Sequence, residues 1–471
     1  MDTPNSTPPA ENSQAGCLFE DDFLAGNPDA STTAPQRTQA EPRLRYAQRH
    51  QGEYRLVVLD RLLPAEHQVR VVWDYVCQLD LTLLTEQIRA VAGAPGRDAT
   101  DPRILLCLWL YATLEGVGSA RELARLCEEH IAFVWICGNV SVNHHLLSDF
   151  RVQQGAFLDQ LLTHSVAVLR HEGLVDLERV AQDGMRVRAS AGTSSFRRRG
   201  KLTQALQEAK AQVGRLKQEL HGDAAAPHRQ RQAAQERAAQ ERVERLEHAL
   251  QELERVEAAV EKRGKESKEK ARASTTDPEA RKMKMADGGF RPAYNAQFAT
   301  DTQSRIIVGV DVTNQGSDGG QMGPMLDQLQ ERHDQTPKEH LVDGGYASRD
   351  DIDYAATEHQ AKVYAPVREK EKKEKAGKDP FAPLPGDKPA VAEWRQRMGT
   401  PEAQQLYHLR ASTAEWTNAQ ARNRGLYQVR VRGLAKVRVI LLWYALVHNL
   451  VQADALRKAK AQTKGGASRE S

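Results

Sequence analysis

The chain reads as an α/β protein: a mixed sheet interrupted by an inserted helical hairpin and preceded by an all-helical segment. Three patterns predict this. Apolar residues recur at helical spacing from about 60 to 175, and between 202 and 260 they fall into heptads. From 294 onward, short β-branched runs alternate with helical stretches, the order of a sheet with crossover helices.

At 471 residues, the chain has room for two or three domains. Its 40% hydrophobic and 27% charged content fits a soluble globular protein, and a net charge of +3 says little about partners. Residues 1–45, rich in Pro, Ser, Thr and Ala, read as a disordered leader. The next unit, 60–172, is a helical amino-terminal domain. In it, Pro102 to Tyr111 forms a buried helix, and Ser119 with Glu122 makes a capping box for the following one. The short link Glu115 to Ser119 resembles a helix-turn-helix connection, a pattern also common in helical cores.

Leu202, Leu206, Ala209, Val213, Leu216 and Leu220 step by fours and threes. Gly222 and Pro227 interrupt the seam; Val243, Leu246, Leu250, Leu253 and Val260 resume it. A coiled-coil hairpin at 200–272 is expected, packing within the chain or against a second copy. It would interrupt a domain at 173–455, after that domain's first strand. Strands follow at 294–299 and 305–312, joined by a turn at Asp301 to Ser304. After these come a helix at 322–331, a strand ending at Asp343, a helix at 349–359 and a strand at 362–365. A charged loop covers 368–390, helices run from 391 to the apolar stretch Val439 to Val447, and 456–471 reads as a flexible basic tail.

Cys17, Cys77, Cys107, Cys127 and Cys137 form no C-x-x-C pair, so buried free thiols are expected and a zinc site is not. No apolar run reaches membrane-spanning length and no signal-peptide layout is present, which predicts a cytoplasmic protein. His144 and His145, adjacent in sequence, are expected to point apart and so make a poor metal pair.

Three acids carry the chemistry. Asp183 and Asp343 each follow a short apolar run and precede glycine, the setting of a carboxylate at a strand end. Glu415 lies in an Arg-rich helical segment, seven residues before Arg422 and so on the same helical face. Tyr407 and Arg410 are neighbours three apart, but Arg410 and Glu415, five apart, would share no face unless the helix starts between them. Convergent carboxylates suit hard divalent cations, which clamp the attacking and leaving oxygens of a phosphodiester. The basic series Arg422, Arg424, Arg430, Arg432, Lys436 and Arg438, with Arg197 to Arg199 and Arg281 to Lys284, suits backbone phosphates. Any one such cluster, taken alone, is more often a solvated charged surface. Asp311 and Asp301 are lesser candidate ligands.

Taken as a set, several motifs resemble the bacterial insertion-sequence transposases of the D-D-E class. They are Leu108-Trp-Leu-Tyr-Ala112, Gly118-Ser-Ala-Arg-Glu122, Val142-Asn-His-His-Leu146, Ser148-Asp-Phe-Arg151, Gln182-Asp-Gly-Met-Arg-Val187, Val342-Asp-Gly-Gly-Tyr346, Arg422-Asn-Arg-Gly425, Val431-Arg-Gly433 and His448-Asn-Leu450. The resemblance implies a ribonuclease-H-like core with Asp183, Asp343 and Glu415 as a triad holding two Mg²⁺ or Mn²⁺ ions. It implies hydrolysis at the element ends and transfer of the 3′-OH into target DNA. Arg410, Arg422, Arg424, Arg432 and Lys436 would then bind DNA. The expected partner is double-stranded DNA, both terminal inverted repeats and target, held by a homo-oligomer without membrane contact. Tyr407, Arg410, Glu415 and Arg422 match the family's Y-x2-R-x3-E-x6-K signature, with a four-residue Arg–Glu gap instead of three and Arg in place of Lys. Two rival readings are a DNA-binding relic without catalysis and a nuclease of the same fold without strand transfer.

Overall fold

The computed structural model describes residues 57–90, 98–219, 226–263 and 268–467. The expected leader, Cys17, Leu220, the heptad break through residue 225 and the last four residues of the expected tail lie outside these.

The first helices are Gln68–Cys77, Pro102–Leu114, Ala120–Glu129, Ile131–Cys137, His144–Gln153 and Gly155–His171. Local chemistry sets their starts. The Asp101 side chain accepts from the Arg103 N–H with proline at the first turn, and Ser119 accepts from Glu122 N–H as the capping box predicts. Pro102–Leu114 is buried on nearly every side, and Trp109 Nε1 donates to the Leu147 carbonyl (2.9 Å). The last helix, Leu434–Ala467, packs against this group and against the sheet. Trp443 Nε1 donates to the Arg151 carbonyl (3.0 Å), and the Asn449 amide exchanges two 2.8 Å hydrogen bonds with the Ile307 backbone. One hydrophobic core therefore runs from Trp109 and Leu158 through Val180, Phe298 and Val310 to Trp443.

The stretch Leu434–Gln462 is long and apolar enough to span a membrane, contrary to the expectation from the sequence, but 67% of its most apolar window is buried inside the protein, as in a core helix. Of the described cysteines, Cys107 and Cys137 are buried as expected, while Cys127 is half-buried and Cys77 exposed. The expected loop at 368–390 contains a short helix, Lys370–Lys375.

The strands are β1 (Arg179–Arg188), β2 (Phe196–Arg197), β3 (Ala273–Ser274), β4 (Arg281–Lys284), β5 (Phe290–Asp301), β6 (Ile307–Thr313), β7 (Glu339–Leu341) and β8 (Lys362–Tyr364). In the six-stranded sheet β1 lies between β5 and β7, with β8 outside β7 and both β4 and β6 on the far edge of β5. The β1–β5 and β5–β6 pairs are antiparallel; β1–β7 and β7–β8 are parallel. The predicted turn holds the β5–β6 hairpin: Asp301 Oδ2 accepts from the Ser304 N–H (2.8 Å) and hydroxyl (2.6 Å). A second apolar cluster, including Leu341, Tyr346, Ile352, Val363 and Trp394, packs under β7 and β8.

Helices Arg199–Glu219 and Ala226–Arg263 follow β1 and β2 in the chain, where the heptads placed an insertion. They run antiparallel, since Arg199 pairs with Glu257 (2.5 Å) and Lys210 with Glu247 (2.7 Å). Leu202, Ala209, Val213, Val243, Leu246 and Leu253 are buried between them in an apolar cluster of their own. Two of the basic stretches thus serve structure: Arg199 belongs to this seam, and Arg281 pairs with the buried Glu252.

Candidate functional site

The β1–β7 register runs Arg179↔Glu339 to Ala181↔Leu341, a constant offset of 160 residues, and the same offset separates Asp183 from Asp343. Parallel pairing therefore brings the two acids side by side just past the end of β7. Asp343 lies at a strand end, as the sequence predicted, with its Oδ1 accepting from Gly345 N–H (2.6 Å). Asp183 does not. It sits inside β1, which continues to Arg188 in register with β5. The apolar run before Asp183 ends because the sheet face becomes polar, while backbone pairing continues.

Gly184 is correspondingly not a turn residue. A Cβ there would lie 2.7 Å from Gln297 Nε2 and 2.8 Å from Asn295 Oδ1, and would overlap Asp318 Oδ1. Asp318 is a buried acid that the sequence reading missed. Its Oδ1 accepts from Asn295 Nδ2 (2.6 Å) and Gln297 Nε2 (3.1 Å), and its Oδ2 accepts from Arg186 (3.1 Å). A polar network continues below: Tyr346 donates to Gln297 Oε1, as does Gln182 Nε2 (3.0 Å), and Gln182 Oε1 meets His340 Nε2 (3.0 Å). The signal that could have found Asp318 is the Asp-Gly step it shares with Asp183 and Asp343.

Glu415 comes to the same place by an unexpected route. The helix Pro401–Arg410 continues through a π-helical turn, Ala411–Glu415, into Trp416–Asn423. The wider turn absorbs one residue, so Arg410 and Glu415 share a face without a helix start between them, and Arg410 Nη2 donates to Glu415 Oε1 (3.3 Å). The long Arg–Glu gap is thus accommodated by the backbone. Arg410 Nη1 also lies 3.7 Å from Asp183 Oδ2, and its guanidinium is over the Tyr407 ring, 5.9 Å from the centroid. Asn418, one helical turn on, donates to Asp183 Oδ2 (3.0 Å) and keeps its buried Oδ1 unpaired.

Burial pushes the Asp183 carboxyl up to about 6; Arg410 opposes this, and the like charges of Asp343 and Asp318 add to it. Burial also works against the Arg410 charge, but Tyr407, Asp183 and Asp343 outweigh it and hold the guanidinium above its ordinary range.

The acid oxygens and Asn418 Oδ1 form a hard, all-oxygen donor set, which fits Mg²⁺ or Mn²⁺ better than a softer ion. Among the described residues, the only group whose ligand atoms all lie within 4.8 Å of one another is His248, Glu252 and Glu279. Its Glu252 is already paired to Arg281 and Arg255, which makes it an ion-pair knot rather than an open cation site. The Asp183, Asp343 and Glu415 carboxylates are more open than that. Arg410 stands between the first and the last, and the Glu415 side chain is 63% exposed.

Asp311 pairs across the sheet with Gln297 and lies near Arg438 (3.9 Å), two strands from Asp183; Asp301 is committed to its turn. The His144 and His145 rings lie 4.1 Å apart, closer than expected. Arg422 is exposed beside Gly184. Arg424 is half-buried where its carbonyl accepts from Tyr444, while Arg432 and Lys436 are exposed at the start of the last helix.

Comparison with known families adds two matches. Residues 260–450 match the family described as Transposase DDE domain, and residues 57–153 match the Transposase domain (DUF772). The first takes in Asp343 and Glu415, while Asp183 lies between the two matches and owes its place to the β1–β7 register. No curated protein and no solved structure matches the chain. The two family matches cover more than half of the sequence, in the order helical region then acid-bearing sheet, and the chain belongs to the insertion-sequence DDE transposases.

Proposed function

We propose that the protein is a D-D-E transposase in which Asp183, Asp343 and Glu415 hold two divalent cations, cut DNA at the element ends and join the freed 3′-OH to target DNA. The observation that carries this reading is the shared 160-residue offset, with Glu415 one guanidinium away from Asp183. The strand order β6-β5-β1-β7-β8, two antiparallel pairs followed by two parallel ones, supports a ribonuclease-H-like core. The antiparallel helix pair supports a coiled-coil hairpin inserted at 200–272. The domain limits 60–172 and 173–455 belong to the same reading, as does a cytoplasmic, nucleoid-associated location.

When bound, Mg²⁺ or Mn²⁺ would activate the attacking oxygen and stabilise the leaving one. The chain's own residues supply the rest. Asn418 orients the Asp183 carboxylate, and Asp318 with its amide partners fixes the β1 backbone beneath it. Arg410 neutralises the acids and is placed to hand Glu415 over as positive charge arrives. Arg422, Arg424, Arg432 and Lys436 hold phosphates, which position the duplex without reading sequence. The test is a joining assay with pre-cleaved 3′-OH ends and Mg²⁺: joined product is expected, while nicking alone identifies a nuclease and neither product a binding relic.

Proton competition gives a further expectation. Asp183 ionises near 6 in the folded protein and near 3.8 when free, so without metal its ionisation costs the fold stability as pH rises through that window. A cation that binds the ionised form reverses the penalty. Added Mg²⁺ should therefore raise Tm clearly at pH 8 and little at pH 5; an equal rise at both would place the ion elsewhere.

Because the helix pair has its own apolar cluster, deleting 202–260 should leave the sheet and helical core folded; the same reading expects weaker pairing of the element ends. Undiminished transposition by that variant counts against the role.

A further inference from the structure

An open cleft of about 720 Å³ adjoins the acid site, starting at Gly184, the residue after Asp183. It is lined by Arg186, Arg188, Lys284, Arg291 and Arg422, against one acid, Asp287, which is paired to Arg291 (2.7 Å). Gly184, Arg186 and Arg188 share one face of β1 at steps of about 7 Å, while Asp183 projects from the opposite face toward Asn418 and Arg410. That step is comparable to the separation of successive phosphates along one nucleic-acid strand. Arg186 is held in place by the Gly316 carbonyl (2.9 Å) and Asp318 (3.1 Å). Arg188, Lys284 and Arg422 are exposed and have no acidic partner among the described residues. Arg186 and Arg291 are each balanced by an acid, which leaves Arg188, Lys284 and Arg422 as three uncompensated cations around one open trough, an arrangement that a polyanion would stabilise.

We infer that this cleft is a DNA-backbone site, built on Arg186, Arg188 and Lys284 together with Arg422, that holds phosphates beside the strand carrying Asp183 as the duplex passes around its edge. The inference rests on the transposase reading and extends it. Arg186 and Arg188 lie outside every basic stretch that the sequence singled out, whereas Lys284 and Arg422 each belong to one. Arg186 and Arg188 come from β1 and Lys284 from β4, so the strand carrying Asp183 also carries part of the grip on its substrate. Contacts to backbone phosphates position the duplex without reading its sequence.

The test uses the full chain and a duplex of arbitrary sequence of about 30 base pairs, long enough for several phosphate contacts, followed by fluorescence anisotropy across a salt series. The double variant Arg188→Ala/Lys284→Ala should lower the slope of log K against log salt by up to about 1.8, or 0.9 per lost contact, and weaken binding by about tenfold or more. The same charge change at Lys362 and Lys378, near and beyond β8 at the other end of the sheet, should leave the slope close to that of the unaltered protein. Thermal melting of both variants shows whether each is folded. If the first variant melts early, Arg188→Gln with Lys284→Gln serves in its place. Equal slopes for the cleft variant and the unaltered protein overturn the site. An unaltered protein that fails to bind duplex DNA at all overturns the transposase reading, and the cleft assignment with it.

Discussion

On the proposed reading, Asp183→Asn should abolish Mg²⁺-dependent cleavage while leaving DNA binding intact. The exchange keeps the shape of the side chain and its hydrogen-bonding reach toward Gly184 and Asn418, but removes the negative charge that a hard cation needs. Loss of an outer-sphere partner typically costs 10–100-fold in metal affinity or activity, so loss of a charged ligand should cost roughly 10³-fold or more. Duplex binding, which the same reading assigns to Arg and Lys side chains elsewhere, should change little at matched salt. Stability gives a second readout. A buried Asp that ionises only near 6 is a burden on the cation-free fold at pH 7.5, so the Asn variant should melt no earlier than the unaltered protein there. It should also lose the Mg²⁺-induced rise in Tm. Nicking by the variant with Mg²⁺ at the unaltered rate would refute the role of Asp183.

Gly184→Ala is the largest expected stability effect. The new methyl group would meet Asp318 Oδ1, Gln297 Nε2 and Asn295 Oδ1 within a network with almost no slack. Gly184 is paired to Gln297 in β5, so the backbone can yield only by breaking strand pairing. Overpacking alone costs about 1–3 kcal/mol, and a displaced hydrogen bond to a charged group about 1.5–3 more, so a loss of roughly 3–5 kcal/mol is expected. Denaturant melting measures it. The double variant Gly184→Ala/Asp318→Ala should recover part of the loss, because it removes the group the methyl strikes. A single variant as stable as the unaltered protein would show that Asp318 does not pack against β1 in solution.

The two variants mark how far the sequence could be read. Asp183, Asp343 and Glu415 were visible because a carboxylate after an apolar run, or beside Arg in a helix, is recognisable from its immediate neighbours. Asp318 had the same Asp-Gly signature but followed a polar turn instead of an apolar run. Its significance depends on Asn295, Gln297 and Arg186, which come from other strands. The Arg410–Glu415 gap read as a break because α-helical spacing was assumed, and only the π-turn, favoured by contacts to β1 and β5, restores the shared face.

By itself the sequence placed most of the helices, the longer strands and the heptad periodicity and singled out three candidate acids, because each of these follows from side-chain periodicity and turn chemistry within a few residues; the short strands β2, β3 and β4 carry no such signal. The tertiary structure decided that residues 160 apart are neighbours, that β1 runs on past Asp183, and that cations from three strands share one cleft. Those outcomes depend on strand register and on which face each side chain finds when the core closes, and register is a property of paired segments that no single segment carries.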